Sequence, residues 1–251
     1  MKRNLILGIA YDGTRYQGWQ RNETIPYHKS IQGQLEHCLS ALTHDPVHVI
    51  GAGRTDKGVH AQEQTANFRT GSSISCEELK QECRLALPSD IRILWVKEGN
   101  MEFHSRFDAL GKQYSYYIDM GEDRRVFGRE YSTWLPGEVN LDAMRAAAGQ
   151  LVGTHDFKGF SSLGSTERDT VRRLNFIKID SLPDHRLRIC MDGDGFLYHM
   201  VRILSGTLLE AGRGRMSSEQ IQKVLSIKDR SMAGPMLPAC GLFLDKVRYP
   251  L

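Results

Sequence analysis

The sequence contains few features that would bind a metal ion or cross a membrane. Its five cysteines form no CxxC or CxxH group, and its nine histidines include no HExxH motif. The N-terminal apolar run stops at Tyr11, which is too short for the core of a signal peptide, and no long apolar segment follows. We therefore expect a soluble, cytoplasmic protein with reduced and mostly buried thiols, no metal site and no membrane contact.

Charge of one sign is not concentrated in any part of the chain. Residues 1–100 carry 12 Lys and Arg against 11 Asp and Glu, and the remainder carries 21 against 19. The formal net charge of +3 permits an anionic partner without requiring one. Any basic surface must therefore be assembled by folding. A chain of 251 residues with 40% apolar residues suits one large domain or two small ones.

Hydrophobic periodicity predicts the order strand, helix, strand, strand, helix, strand, roughly twice. The predicted strands are 4–11, 47–51, 64–68, 91–97, 112–119, 171–180, 186–192 and 240–247. The predicted helices are 30–43, 75–87, 140–151, 196–211 and 217–226, and Ser30, Ser75, Asn140 and Ser217 are their capping residues. The pattern indicates an α+β fold with two related halves, 1–106 and 107–251. Each half is expected to be a mainly antiparallel sheet backed by helices, with an active-site cleft between them.

A glycine-rich loop, GAGRTDKGVHA, follows the predicted strand 47–51. It lacks the third glycine of a dinucleotide fingerprint, because Asp56 stands there, and the Lys-Ser/Thr of a phosphate-binding Walker loop. A plain tight turn is the simplest interpretation, since Asp-Lys-Gly is good turn chemistry. Against it stands the density of functional groups, with Arg54, Asp56, Lys57 and His60 within seven residues. These make the loop a candidate active site.

Two other stretches are candidates for chemistry. In GDGFLYHMVRIL, Arg202 stands within an apolar helix, where an arginine needs an anionic partner unless its head group reaches solvent. The segment FHSRFDALGKQYSYY interleaves basic and aromatic residues, as surfaces that stack bases often do. The alternative for that segment is a strand with Tyr114 and Tyr116 packed in the core.

Together these stretches resemble the tRNA pseudouridine synthase A family. The matching pieces include YDGTRYQGWQ, GRTDKGVHA, FHSRF with KQYSYYI, LVGTHDF, GDGFLYHMVRILSGTLLEAGRG and PACGLFL, and they span nearly the whole chain. One departure is Ser-Arg-Phe-Asp at 105–108, where the family more often has Ala-Arg-Phe-Ser. The departure does not touch the catalytic positions.

The resemblance implies a role for each matching residue. Asp56 is the nucleophile, Arg54 positions the substrate or the displaced base, and Arg202 pairs with the Asp56 carboxylate. Tyr114 stacks on the target uracil and assists proton removal, and Leu242 forms part of the pocket wall. The family modifies uridines 38, 39 and 40 of the tRNA anticodon arm as a homodimer, with one tRNA bridging both subunits. The reaction is an isomerisation that requires no small-molecule cofactor.

Three alternatives remain at this stage. One is a related pseudouridine synthase that acts on other RNA positions. Another is a catalytically idle RNA-binding module, which would have no chemical need for the four polar residues of the predicted site. The third is a carboxylate-based glycosidase on small nucleosides, with Asp12 or Asp194 as its second carboxylate. Loop-like location suggests these tRNA phosphate contacts: Arg15, Arg21, Lys57, Arg124, Arg125, Arg168, Arg172 and Arg173.

Overall fold

The computed structural model describes residues 2–162 and 169–250. These residues divide into two units, Met1–Leu110 with Phe243–Leu251, and Gly111–Leu242. The last strand of the chain therefore returns to the first unit. The division into domains at 106/107 stays a prediction.

The first unit is a sheet with two helices. Its strands are β1 (Arg3–Tyr11), β2 (Ile50–Gly51), β3 (His60–Thr70), β4 (Ile91–Gly99) and β10 (Leu242–Arg248), and its helices are α1 (Ile31–Thr43) and α2 (Cys76–Ala86). The strand order is β4-β1-β3-β10, with β2 on β3. β1 is antiparallel to both neighbours, whereas β3 and β10 are parallel. Leu5, Leu7 and Ile9 alternate along β1 and are fully buried, which places the core on that face of the strand.

The second unit is also a sheet with helices, of which it has three in the described residues. Its strands are β5 (Gly111–Asp119), β6 (Thr133–Trp134), β7 (Gly153–Asp156), β8 (Val171–Leu182) and β9 (Arg186–Gly193). Its helices are α3 (Leu141–Gly149), α4 (Met200–Gly212) and α5 (Ser218–Ile227). The strand order is β5-β9-β8-β7, antiparallel from β5 to β7, and β6 is parallel to β5. Both units therefore confirm the predicted α+β class of mainly antiparallel sheets backed by helices.

The capping residues are where the sequence predicted them. The side chains of Ser30, Ser75, Asn140 and Ser217 each accept a backbone N–H in the first turn of the helix that follows. Ser217 completes a capping box with Gln220, whose side chain accepts the Ser217 N–H at 2.7 Å. Local side-chain chemistry thus determines the starts of these four helices.

Three predicted boundaries were wrong. The helix predicted from 196 begins at Met200, because His199 has a left-handed backbone with φ of 62° and ends the preceding turn. The strand predicted at 47–51 is reduced to Ile50–Gly51, and the strand predicted from 64 begins at His60. The five cysteines are free thiols, as expected, and Cys38, Cys83 and Cys190 are buried. Each helix of the described ranges is too short or too polar to cross a bilayer.

Candidate active site

The loop that carries Asp56 connects the antiparallel strands β2 and β3. At its base, the Ala52 N–H donates to Thr65 O at 2.8 Å, and Gln64 Nε2 donates to Gly53 O at 3.0 Å. At its tip, the Val59 N–H donates to Asp56 O at 3.1 Å, and Gly58 has a φ of 78°, a conformation that favours glycine. Asp-Lys-Gly is therefore a tight turn, and that turn carries Asp56.

Thr55 is a residue of this loop that contacts both β1 and the segment after it. Its hydroxyl lies 2.8 Å from the hydroxyl of Tyr11, and its carbonyl oxygen accepts the Trp19 N–H at 3.0 Å. Gly18 approaches the same carbonyl so closely that a Cβ there would lie 2.7 Å from Thr55 O. Thr55 is buried, whereas Arg54 before it is exposed and Asp56 after it is half-buried. Thr55 is thus held by the neighbouring segment, while the side chains of Arg54 and Asp56 on either side of it remain accessible to solvent.

The segment after β1 supports the far end of the loop. The Gly13 N–H donates to Nδ1 of His60 at 3.1 Å, and a Cβ on Gly13 would lie 2.0 Å from Val59 O. Asp12 Oδ1 lies 3.1 Å from the same Nδ1, so an unprotonated Nδ1 accepts from Gly13 and a protonated one donates to Asp12. His60 is 1% exposed and stacks on Phe243 at 4.6 Å. His60 is therefore a supporting residue below the loop.

The sequence predicts a strand that ends at Tyr11 and assigns no structural role to most of the motif YDGTRYQGW. The structure shows that its residues Tyr11, Gly13, Gly18 and Trp19 hold the GRTD loop. Burial raises the pKa of Tyr11 well above its usual value, so its hydroxyl remains protonated at neutral pH. Two glycines within seven residues of the end of β1 were the available signal, since glycine marks places where two backbones approach closely.

The second unit holds Tyr114 on β5. Its ring meets the ring of Phe196 edge-on, with centroids 5.1 Å apart, and only 8% of the residue is exposed. Tyr116 lies on the same face of β5, and its hydroxyl donates to Pro238 O at 2.7 Å. The alternative interpretation of this segment, a strand with both tyrosines packed in the core, thus agrees with the structure. Stacking of a base on Tyr114 stays a prediction.

Arg202 is half-buried in the first turns of α4. Its Nε donates to Leu237 O at 2.7 Å, and the Leu237 N–H donates back to Arg202 O at 3.3 Å. The segment before Leu237 packs tightly on the helix, because a Cβ on Gly206 would lie 1.9 Å from Pro235 O. This packing restrains Arg202 as far as its Nε atom, which is held by the segment that contains Leu237. Leu242 is buried at the start of β10.

The predicted site residues are thus distributed over both units. Arg54 and Asp56 flank Thr55 in the first unit, and Tyr114 and Arg202 belong to the second. Leu242 is the last residue of the second unit and the first of β10, whose other residues belong to the first unit. Their assembly into one site stays a prediction.

No group of three His, Cys, Asp or Glu side chains with the spacing of a metal site occurs within residues 2–162 and 169–250.

The two carboxylates considered for a glycosidase have backbone partners. Asp12 Oδ1 accepts the Thr14 N–H at 2.9 Å, and Asp194 Oδ1 accepts the Arg173 N–H at 3.0 Å. Each of these carboxylates is thus held by the backbone that it contacts.

Ion pairs separate the candidate phosphate-binding residues into two groups. Arg21 pairs with Glu36 at 2.9 Å, Arg125 with Asp119 at 3.4 Å, and Arg172 with Asp169 at 3.5 Å. The exposed candidates without a recorded ion pair in the described part of the chain are Arg15, Lys57, Arg124 and Arg173. Arg168 lies outside the described residues. The second group is better suited to phosphate, because its charge is not already neutralised.

Comparison with known proteins gives a consistent result. The family model described as tRNA pseudouridine synthase matches residues 8–108 and 147–250. The tRNA pseudouridine synthase A 2 of Clostridium tetani is 43% identical over 99% of this chain and 100% of its own length. The tRNA pseudouridine synthase A of Clostridium kluyveri is 40% identical over 98% of this chain and 100% of its own. That of Geobacillus kaustophilus is 40% identical over 96% and 92%. The chain belongs to the tRNA pseudouridine synthase family.

Proposed function

We propose that this chain isomerises uridine to pseudouridine at positions 38, 39 and 40 of the tRNA anticodon arm, with Asp56 as the nucleophile. One observation carries the assignment of Asp56: it is half-buried and follows a residue, Thr55, that Tyr11, Gly18 and Trp19 hold in place. A nucleophile needs such a fixed support, since a misplacement of about 1 Å can cost roughly a hundredfold in rate. The names of the relatives support tRNA as the substrate.

The reaction needs a carboxylate and no change of oxidation state. The N-glycosidic bond breaks, the base turns, and a carbon–carbon bond forms between the sugar and C5 of the uracil. The proton on C5 is lost and N1 gains one, so atoms and electrons balance without a redox cofactor. Asp56 attacks either the anomeric carbon or the uracil ring, and both routes require its ionised form.

The residues of the second unit complete the proposed site. Arg202 pairs with the Asp56 carboxylate and balances its charge. Tyr114 stacks on the uracil and assists the loss of the C5 proton, and Leu242 contributes to the pocket wall. Arg54, exposed beside the nucleophile, positions the substrate or the displaced base. The hydrogen bond from Arg202 Nε to Leu237 O supports the role of Arg202, because it restricts the guanidinium before substrate binds.

The proposed partner is tRNA, bound through its phosphates and shared between the two subunits of a homodimer in the cytoplasm. Arg15, Lys57, Arg124 and Arg173 are the favoured phosphate contacts, since each is exposed and has no recorded ion pair within the described ranges. Light scattering tests the dimer directly. A monomer at micromolar concentration with full activity would contradict it.

Release of tritium from C5-labelled uridine in tRNA tests the activity. The purified chain should release one tritium for each pseudouridine formed, and mapping of total tRNA should locate the product at positions 38–40. Product at other positions would favour the alternative of a related synthase. Binding of tRNA without release would indicate an idle RNA-binding module. Turnover of free uridine would favour a glycosidase.

A further inference from the structure

Phe107 is an exposed aromatic side chain with two polar neighbours. It is 76% exposed, and a single exposed apolar residue is ordinary on a protein surface. Among the exposed aromatic side chains of the described residues, Phe107 combines a stacked histidine ring with a neighbouring guanidinium. The ring of His104 stacks on the ring of Phe107 with centroids 4.2 Å apart, and the guanidinium carbon of Arg106 lies 5.9 Å from its centroid. An aromatic face beside a cation is a combination that binds nucleobases.

The turn that carries Phe107 is fixed from below by buried hydrogen bonds. Asn67 Oδ1 on β3 accepts the N–H of Ser105 at 2.9 Å and its hydroxyl at 2.7 Å. The hydroxyl of Tyr249 donates to Ser105 O at 2.7 Å. Burial raises the pKa of Tyr249 above its usual value, so this donor keeps its proton at neutral pH. The base of the turn is therefore held by β3 and by the residue that follows β10.

His104 fixes the upper part of the same turn. Its Nδ1 accepts the backbone N–H of Arg106 at 3.2 Å and that of Phe107 at 3.3 Å. The backbone N–H of His104 donates to Asp108 Oδ2 at 2.9 Å. Because Nδ1 is the acceptor, the proton of the neutral imidazole is on Nε2. The imidazole is thereby oriented against Phe107, and a ring ordered in advance loses less entropy when a ligand binds.

We propose that Phe107 is a stacking platform for one unpaired nucleobase of the RNA, and that Arg106 contacts the phosphate next to that base. The proposal rests on the RNA substrate of the proposed function and adds a contact outside its catalytic residues. Only an unpaired base can offer its face to a side chain, since paired bases are stacked within the helix. Phe127 is more exposed, at 90%, yet it has no recorded ring or cation partner within the described residues. Exposure alone therefore does not select Phe107.

The test is the affinity of the full-length chain for a fluorescently labelled tRNA transcript, measured by anisotropy. Phe107→Ala should weaken binding about tenfold, or ~1.4 kcal/mol, which is typical of one lost base stack. Phe107→Trp should restore affinity to within about twofold, because it supplies another aromatic face. Arg106→Gln should lower the slope of log affinity against log salt by about one. Leu85→Ala is the matched control, since Leu85 is 80% exposed on α2 and should leave affinity unchanged.

The remaining outcomes overturn the proposal in distinguishable ways. If the wild-type chain binds tRNA and releases tritium while Phe107→Ala binds as well as Leu85→Ala, the platform is wrong and the function stands. If the wild-type chain binds no tRNA, both are wrong. If Phe107→Ala converts a dimer into a monomer in sedimentation velocity, the ring belongs to a contact between copies. Circular dichroism should show the wild-type fold for all four variants.

Discussion

The hydroxyl of Tyr11 provides a direct test of how the loop holds Asp56. Tyr11→Phe keeps the ring in the core and deletes the 2.8 Å hydrogen bond to the Thr55 hydroxyl. Both side chains are buried, so water cannot replace the lost partner, and the cost is about 1–3 kcal/mol. Each kcal/mol lowers the melting temperature of a protein of this size by roughly 2–4 °C. We expect a fall of roughly 2–12 °C.

Turnover should respond to the same change for a separate reason. Thr55 precedes the proposed nucleophile, and its release allows Asp56 to shift. A shift of this kind should lower the single-turnover rate of tritium release by about ten- to a hundredfold. The affinity for tRNA should remain within about twofold, because Tyr11 is buried and cannot contact the RNA. The rate is measured at saturating enzyme and the affinity by filter binding.

Tyr16→Phe is the matched control for this experiment. Tyr16 lies in the same segment and is equally buried, but its hydroxyl donates to Asp90 Oδ1 at 2.6 Å, outside the loop. It should lose stability much as Tyr11→Phe does and keep its turnover. Thr55→Val combined with Tyr11→Phe should cost less than the sum of the two single changes. Equal rate losses in the two tyrosine variants, or no loss in Tyr11→Phe, would refute the positioning argument.

Four further results are expected. Asp56→Asn should lower turnover by several powers of ten with fold and tRNA affinity retained, and a rate above about a tenth of wild type would exclude Asp56 as nucleophile. Gly18→Ala should lower both stability and turnover, since its φ is 107° and the new Cβ would meet Thr55 O; a wild-type melting curve would contradict this. Lys57→Gln should reduce the salt dependence of tRNA binding by about one unit of slope, whereas Arg21→Gln should change it little because Arg21 already pairs with Glu36. Chelators should leave turnover on prefolded tRNA within about twofold, since the isomerisation needs no Lewis acid; recovery only on addition of a transition metal would show otherwise.

Local chemistry explains which elements the sequence predicted. Strand β1 and helices α1 and α2 follow from apolar periodicity and from caps at Ser30 and Ser75, which act over three or four residues. The start of α4 was missed because His199 takes a left-handed conformation, which asparagine or glycine would have indicated more clearly. A single backbone angle of this kind depends on tertiary packing and leaves little trace in periodicity.

In the candidate site, too, periodicity did not reveal contacts that depend on tertiary packing, and these contacts join residues far apart in the sequence. Asp56 and Arg54 could be selected because glycines and charges crowd one short loop. The contact by which Tyr11 supports that loop could not be predicted, since Tyr11 and Thr55 are 44 residues apart in the chain. Phe243, which stacks on His60, is separated from its partner by an even longer stretch of sequence. Such contacts follow from strand order, and an amphipathic pattern in one chain does not specify which strands become neighbours.

The return of β10 to the first unit has a consequence during protein synthesis. Phe243 pairs in register with His60 and stacks on it, so the support of the GRTD loop includes a residue of β10, which is synthesised after the whole second unit. A ribosome must add roughly 130 residues after the first unit's main segment, which takes about 7–25 s at the usual elongation rate. During that interval the nascent chain has Asp56 without the stacked pair beneath its loop. Completion of the loop's support therefore awaits the emergence of Phe243 from the exit tunnel.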